Sequence, residues 1–175
     1  MAYSWDYSRK TEPRGSILFD ALSPLLEEGE HFLDVDCGYS PMARHILDHS
    51  HKITGFDINP KPIQHLKQIH PQGDWIVLED VDAKFVSYTV LLFLGVTTAL
   101  YPAYSKTYLK TAERLIDLNK PRLVLVECAK GADQKLYLQV CELLNSHHYF
   151  LKKKSHYDAK MIRASKRHYS VWVQP

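Results

Sequence analysis

Three carboxylates, Asp34, Asp36 and Asp57, stand where apolar runs give way to polar turns, and their spacing limits the chemistry open to this chain. Asp34 and Asp36 bracket Val35 at the end of the run that begins at His31, and lead into Cys37, Gly38, Tyr39 and Ser40. A turn with two acids repels a pyrophosphate and favours a cationic group. Its one central glycine, Gly38, lets the backbone approach a ligand closely. Asp57 ends a second apolar run, 23 residues after Asp34, a length that suits one strand, turn and helix leading into the next strand. A carboxylate there can accept two hydrogen bonds from a ribose diol, or cap the helix that follows. A third acidic group, Glu79, Asp80 and Asp82 around Val81, follows Trp75 to Leu78.

Other sites are excluded by the same residues. The turn lacks the G-x-G-x-x-G that seats a dinucleotide pyrophosphate, and no G-x-x-x-x-G-K-[ST] occurs. The three cysteines, Cys37, Cys128 and Cys141, form no CxxC pair, and the ten histidines do not cluster at ligand spacing, so no metal site is expected.

The elements that must position these acids alternate. Apolar runs at 31–35, 52–57, 75–78, 88–94 and 122–126 read as strands. Helical stripes at 15–26, 61–69, 102–118 and 133–144, with a helical start at 42–47, separate them. The segments 149–154 and 168–173 read as a closing hairpin joined by a polar loop over 155–167. This order predicts one α/β domain over residues 1–175, a doubly wound, mostly parallel sheet with a C-terminal antiparallel hairpin. Residues 1–14, with Tyr3, Trp5 and Tyr7 beside Arg9, Lys10 and Arg14, read as an N-terminal arm that either closes over a ligand or packs on a partner.

The segment Phe32 to Pro41 resembles the first motif of class I S-adenosylmethionine-dependent methyltransferases, which usually runs acid-x-Gly-x-Gly-x-Gly. Asp34 falls on the acid that helps hold the methionine part, Asp36 on the first glycine, Gly38 on the central one and Ser40 on the third. Ile53 to Pro60 is similar to the second motif, with Asp57 on the ribose-binding acid and Ile58 against adenine. Trp75 to Asp82 is similar to the third, where Asp80 and Asp82 both qualify to meet the adenine amino group. The resemblance covers residues 15–173 and implies a Rossmann-like fold with S-adenosylmethionine as cofactor. Its implied contacts are Asp34, Asp36, Cys37, Gly38, Tyr39, Asp57, Ile58, Asp80, Val81, Asp82 and Phe93.

The acceptor is less marked. The fourth strand ends in Leu92-Phe93-Leu94-Gly95, without the Asn/Asp-Pro-Pro-Tyr/Phe of members that methylate amines in nucleic acids. No catalytic residue is assigned; Glu127, Lys130, His147 and His148 are candidates, and Tyr101, Pro102 and Tyr104 follow the fourth strand and could line an acceptor pocket. The expectation is a methyltransferase with a small-molecule acceptor. Its alternatives are a non-catalytic scaffold subunit, favoured by Asp36, and an RNA methyltransferase, favoured by the basic stretch from Lys152 to His168. A homodimer or a partner subunit is compatible with the arm. The net charge of +2 excludes no partner class. The longest apolar run, Tyr88 to Leu100, falls short of the roughly 20 residues that cross a membrane. Three cysteines without a pairing pattern fit a reducing, cytoplasmic setting.

Overall fold

The computed structural model describes residues 8–77, 87–95, 102–129, 134–159 and 165–175. Along the chain, helix α1 (Ser8–Leu22) and a short 3-10 turn (Ser23–Leu25) precede β1 (His31–Val35), α2 (Ala43–Asp48), β2 (Lys52–Asp57), α3 (Pro60–Ile69) and β3 (Asp74–Val77). The second half holds β4 (Val90–Leu94), α4 (Pro102–Asn119), β5 (Leu123–Ala129), α5 (Gln134–Ser146), β6 (Phe150–Ala159) and β7 (Ser165–Val173).

The seven strands form one sheet in the order β3-β2-β1-β4-β5-β7-β6. Strands β1 to β5 pair in parallel, β7 runs antiparallel to β5, and β6 pairs antiparallel with β7. The doubly wound sheet and closing hairpin expected from the alternation are therefore present. The chain winds outward from β1 to β3, then returns to place β4 on the other side of β1. The tips of β1 and β4 thus flank the switch point where such sheets bind ligands.

Apolar runs buried on both faces give the inner strands their order. Leu33, Val35, Leu91, Phe93, Val124 and Val126 face one way and pack with Tyr108, Ala112 and Leu115 of α4 and Leu136, Val140 and Leu144 of α5. Their neighbours Phe32, Ile53, Leu92 and Leu125 face the other way, onto Leu18 and Leu22 of α1, Ile46 of α2 and Ile63 and Leu66 of α3. Helix α3 starts where Asn59 accepts a hydrogen bond from the Lys61 amide at 3.1 Å, with Pro60 in the first turn. That is the start expected from an N-cap followed by proline.

Two boundaries differ from the sequence reading in ways that matter. Helix α1 begins at Ser8, so residues 8–14 of the expected arm are helical, with Pro13 inside the helix. This first half lacks an apolar stripe and is anchored by a distant ion pair, described below. Strands β5, β6 and β7 are longer than their apolar cores, so much of the expected loop over 155–167 is strand. Ladder pairing carries the polar residues with it, and places Glu127 and Cys128 within β5.

Candidate functional site

The turn after β1 has glycine-like geometry at three alternate positions. Asp36, Gly38 and Ser40 adopt φ of 54°, 49° and 41°, the left-handed region that glycine enters most easily. These are the three positions at which the first motif usually has glycine. Aspartate tolerates this region because its short polar side chain can bond locally. The backbone path is kept while two of the three side chains differ. A Cβ added at Gly38 would meet no atom within 4 Å, so the space over the turn is open.

Hydrogen bonds from the two strand-tip acids hold that turn. Asp57, buried at the end of β2, accepts the Gly38 amide at 2.8 Å on one oxygen and the Asn59 amide at 2.7 Å on the other. Each oxygen keeps a second lone pair. The Cys37 amide donates to the Phe56 carbonyl at 2.9 Å, tying the two strand ends together.

Asp34 is fully buried and accepts the Ser40 hydroxyl at 2.6 Å. No described residue donates to its Oδ1. Burial pushes this carboxyl up to about 7, against the Ser40 hydrogen bond and the charge of Arg14; Asp36 and Asp57 push it further up. A buried carboxylate oxygen without a donor is costly, and a cationic ligand group would satisfy it.

The other expected contacts divide. Ile58 is 57% exposed beside Asp57, which leaves an apolar surface free for a flat ring. Tyr39 stands edge-on to His65, with ring centroids 5.4 Å apart. Cys37 is buried in the core, and burial pushes its thiol up, so the side chain is core packing. Phe93 is likewise fully buried, 5.8 Å from the Tyr108 ring. Asp80, Val81 and Asp82 lie outside the described residues, as do Lys130 and Tyr101 and the side chains of Pro102 and Tyr104.

At the tips of β4 and β5 stands a cluster that the motif reading missed. The Glu127 carboxylate, at 0% exposure, accepts Arg14 Nε and Nη2 at 3.1 and 2.7 Å, and Arg167 Nη1 at 2.8 and 2.9 Å. It also accepts the Tyr157 hydroxyl at 2.6 Å and the Gly95 amide at 2.8 Å. Burial alone would raise this carboxyl; Arg14 and Arg167, with hydrogen bonds from Arg14 and Tyr157, bring it down to about 2. Two oxygens offer about four lone-pair sites, and all are engaged. Glu127 is therefore held ionised, with its carboxylate fully engaged. Its sequence signal was a lone acid inside the apolar run Leu123 to Cys128, because a buried charge requires a partner.

Arg14 and its neighbour Gly15 tie α1 to both halves of this edge. A Cβ on Gly15 would sit 2.0 Å from the Pro41 carbonyl oxygen, so helix and β1 turn touch at backbone distance. His147 and His148 lie elsewhere: they follow α5 just before β6, at the far edge of the sheet, with His147 Nδ1 3.3 Å from Asp117. A recess between the ends of α2 and α3, lined by Arg44, Asp48, His51 and His70, lies by the start of β2, away from the strand tips. Among the described residues no group of three or more His, Cys, Asp or Glu side chains could hold a metal ion, and no helix is long and apolar enough to cross a membrane.

No family model matches the sequence, and no curated protein does so. Solved structures match in fold. A TehB-like S-adenosylmethionine-dependent methyltransferase from Corynebacterium glutamicum superposes with a TM-score of 0.64 at 16% identity, over 94% of this chain and 88% of that one. Magnesium protoporphyrin IX methyltransferase from Synechocystis PCC 6803, solved with bound S-adenosylmethionine, gives 0.69 at 16% identity, over 94% and 79%. The N-methyltransferase NodS from Bradyrhizobium japonicum gives 0.68 at 13% identity, over 98% and 99%. The chain has the Rossmann-like fold of the class I S-adenosylmethionine-dependent methyltransferases.

Proposed function

We propose that the protein is an S-adenosylmethionine-dependent methyltransferase. The observation that carries the reading is the β1 turn: three alternate positive-φ positions, pinned by the Asp57 carboxylate on the Gly38 amide, at the switch point of this sheet. Asp57 would take the ribose hydroxyls on its remaining lone pairs. Ile58 would lie against the adenine, and Asp34 would present its undonated oxygen to the ammonium of the methionine part. Asp80 and Asp82 are proposed on the adenine amino group from the motif resemblance alone.

When bound, S-adenosylmethionine would supply a methyl carbon activated by its sulfonium, and Asp34, Asp57 and Ile58 would hold it. The protein's own task is alignment, which can account for much of such a rate. The β4 and β5 tips and α1 form the acceptor side, where Glu127 fixes Gly95 and holds no proton at neutral pH. A small-molecule acceptor is supported by the small substrate named for the porphyrin-methylating fold neighbour. A second reading, an RNA acceptor, is favoured by the polarity of charge along the chain, taken up below.

Calorimetric titration of S-adenosylmethionine and its demethylated product tests the cofactor site. The wild type should bind in the micromolar range, and Asp57→Ala should bind at least about tenfold more weakly, or about 1.4 kcal/mol. A folded wild type that binds neither compound overturns the proposal.

A further inference from the structure

Charge is unevenly spread along this chain. Residues 150–168 contain seven lysines and arginines against one aspartate, so this stretch is +6 and the remainder is −4, for the overall +2. The fold gathers several of these charges on one border. Strand β6 is the last in the sheet and pairs only with β7, so its outer edge faces away from the other strands.

Lys152, Lys153 and Lys154 are consecutive and exposed on that edge strand, followed by exposed His156, with exposed Lys166 on β7. A register shift between Leu151 and Lys153 leaves Lys152 opposite no residue of β7, and Lys153 Nζ stands 6.0 Å from the Tyr169 ring centroid. From Lys152 to His156 the strand covers about 13 Å at its usual rise, enough to meet several phosphates in succession. At the start of the same strand, Phe150 is 63% exposed and Leu151 49%.

We infer that the β6 edge binds single-stranded RNA, with the lysines on phosphates and Phe150 as a stacking surface for a base. The inference rests on the second reading above, an RNA acceptor, and it extends that reading by naming the surface. A basic track beside an exposed aromatic is how proteins hold single strands without reading sequence. The track also has a direction. β6 runs parallel to β5, so its far end, at Tyr157, reaches the Glu127 cluster on the acceptor side. A strand laid along β6 is led towards the tips of β4 and β5. Edge lysines also discourage strand addition, but that role needs neither an exposed aromatic beside them nor an acidic remainder of the chain.

The test is fluorescence anisotropy of the full chain with an end-labelled single-stranded 20-nucleotide RNA at several salt concentrations. The wild type should bind, and affinity should fall steeply with salt. The triple variant K152E/K153E/K154E should bind at least about tenfold more weakly at low salt, and the slope of log affinity against log salt should be smaller by about 2, as expected for three lost phosphate contacts. Phe150→Ala should weaken binding several-fold and leave the slope unchanged. Lys110→Glu with Arg114→Glu, exposed on α4, should leave affinity within twofold of wild type.

Each variant is checked by circular dichroism and by cofactor titration. Cofactor affinity should be equal in wild type and triple variant, so loss of RNA binding is separable from failure of the cofactor site. No RNA binding by the wild type overturns the inference. Equal binding by wild type and triple variant overturns it, as does binding to anionic lipid vesicles without binding to RNA. RNA binding that survives while no cofactor binds leaves the surface in place and removes the methyltransferase reading alone.

Discussion

The two halves of the candidate site are held by different kinds of bond. The proposed cofactor half, at the tips of β1 and β2, is closed by near neighbours: Asp34 on Ser40, six residues apart, and Asp57 on Asn59, two apart, and on Gly38, 19 apart. The proposed acceptor half, at the tips of β4 and β5, is closed by one carboxylate that takes groups 113, 40, 30 and 32 residues away. The first half leaves a buried oxygen without a donor; the second has no lone pair to spare. A site built this way has an open binding side and a rigid side against which an acceptor can be aligned.

Glu127→Gln should break the contrast most strongly. It leaves two part-buried guanidinium groups facing a neutral amide on a fully buried residue, and removing one partner of a buried pair costs about 3–5 kcal/mol, to be read by denaturant unfolding. A cost below about 1 kcal/mol would show that the cluster is not the anchor of this half. The pH dependence carries a sign as well. Because the folded carboxyl lies near 2, below its ordinary 4.5, its contribution is present above pH 4.5 and is lost as pH falls towards 2. The variant should therefore lose less stability than wild type across that window.

Gly15→Ala probes the join between the halves. Its methyl group would overlap the Pro41 carbonyl, and overpacking of this kind costs about 1–3 kcal/mol. Thermal melting reads that cost, and cofactor titration should show weaker binding, because the shifted backbone belongs to the cofactor turn. Unchanged cofactor affinity would mean that α1 serves the acceptor half alone.

Asp34→Asn gives the smallest and most specific effect. Burial holds the wild-type carboxyl near 7, and a cationic ligand prefers its ionised form. Affinity for the demethylated cofactor should then rise as pH approaches 7, by up to about tenfold per unit, and flatten above it. The asparagine variant should lack this rise. A rise that persists in the variant would place the titrating group elsewhere.

The same contrast explains what could be read in the sequence. The alternation of apolar runs and helical stripes led to the doubly wound sheet and closing hairpin, because each run had to be covered on both faces. Asp34, Gly38 and Asp57 stood out because the bonds they make close within one strand-turn-helix unit. The side chains of Phe93 and Cys37, expected at the cofactor by position along the motif, are buried. Arg14 and Arg167 gave no local sign, since what fixes them is a carboxylate on a strand remote from both. The start of α1 was misplaced for the same reason: periodicity sees an apolar stripe, and this end is held by charge.

Arg14 near the beginning of the chain and Arg167 near its end share one carboxylate, which bears on the order of events during synthesis. When the ribosome has made β1 to β4, α1 can cover part of the sheet, but its anchor on β5 does not yet exist. When β5 emerges, Glu127 meets Arg14 with half of its cation shell still to be translated. Only when β7 is complete does Arg167 add its two hydrogen bonds to that carboxylate. Contacts of such long sequence separation form late and slowly, so a nascent chain paused before β7 would expose an acidic strand tip and a loosely held first helix to chaperones and proteases.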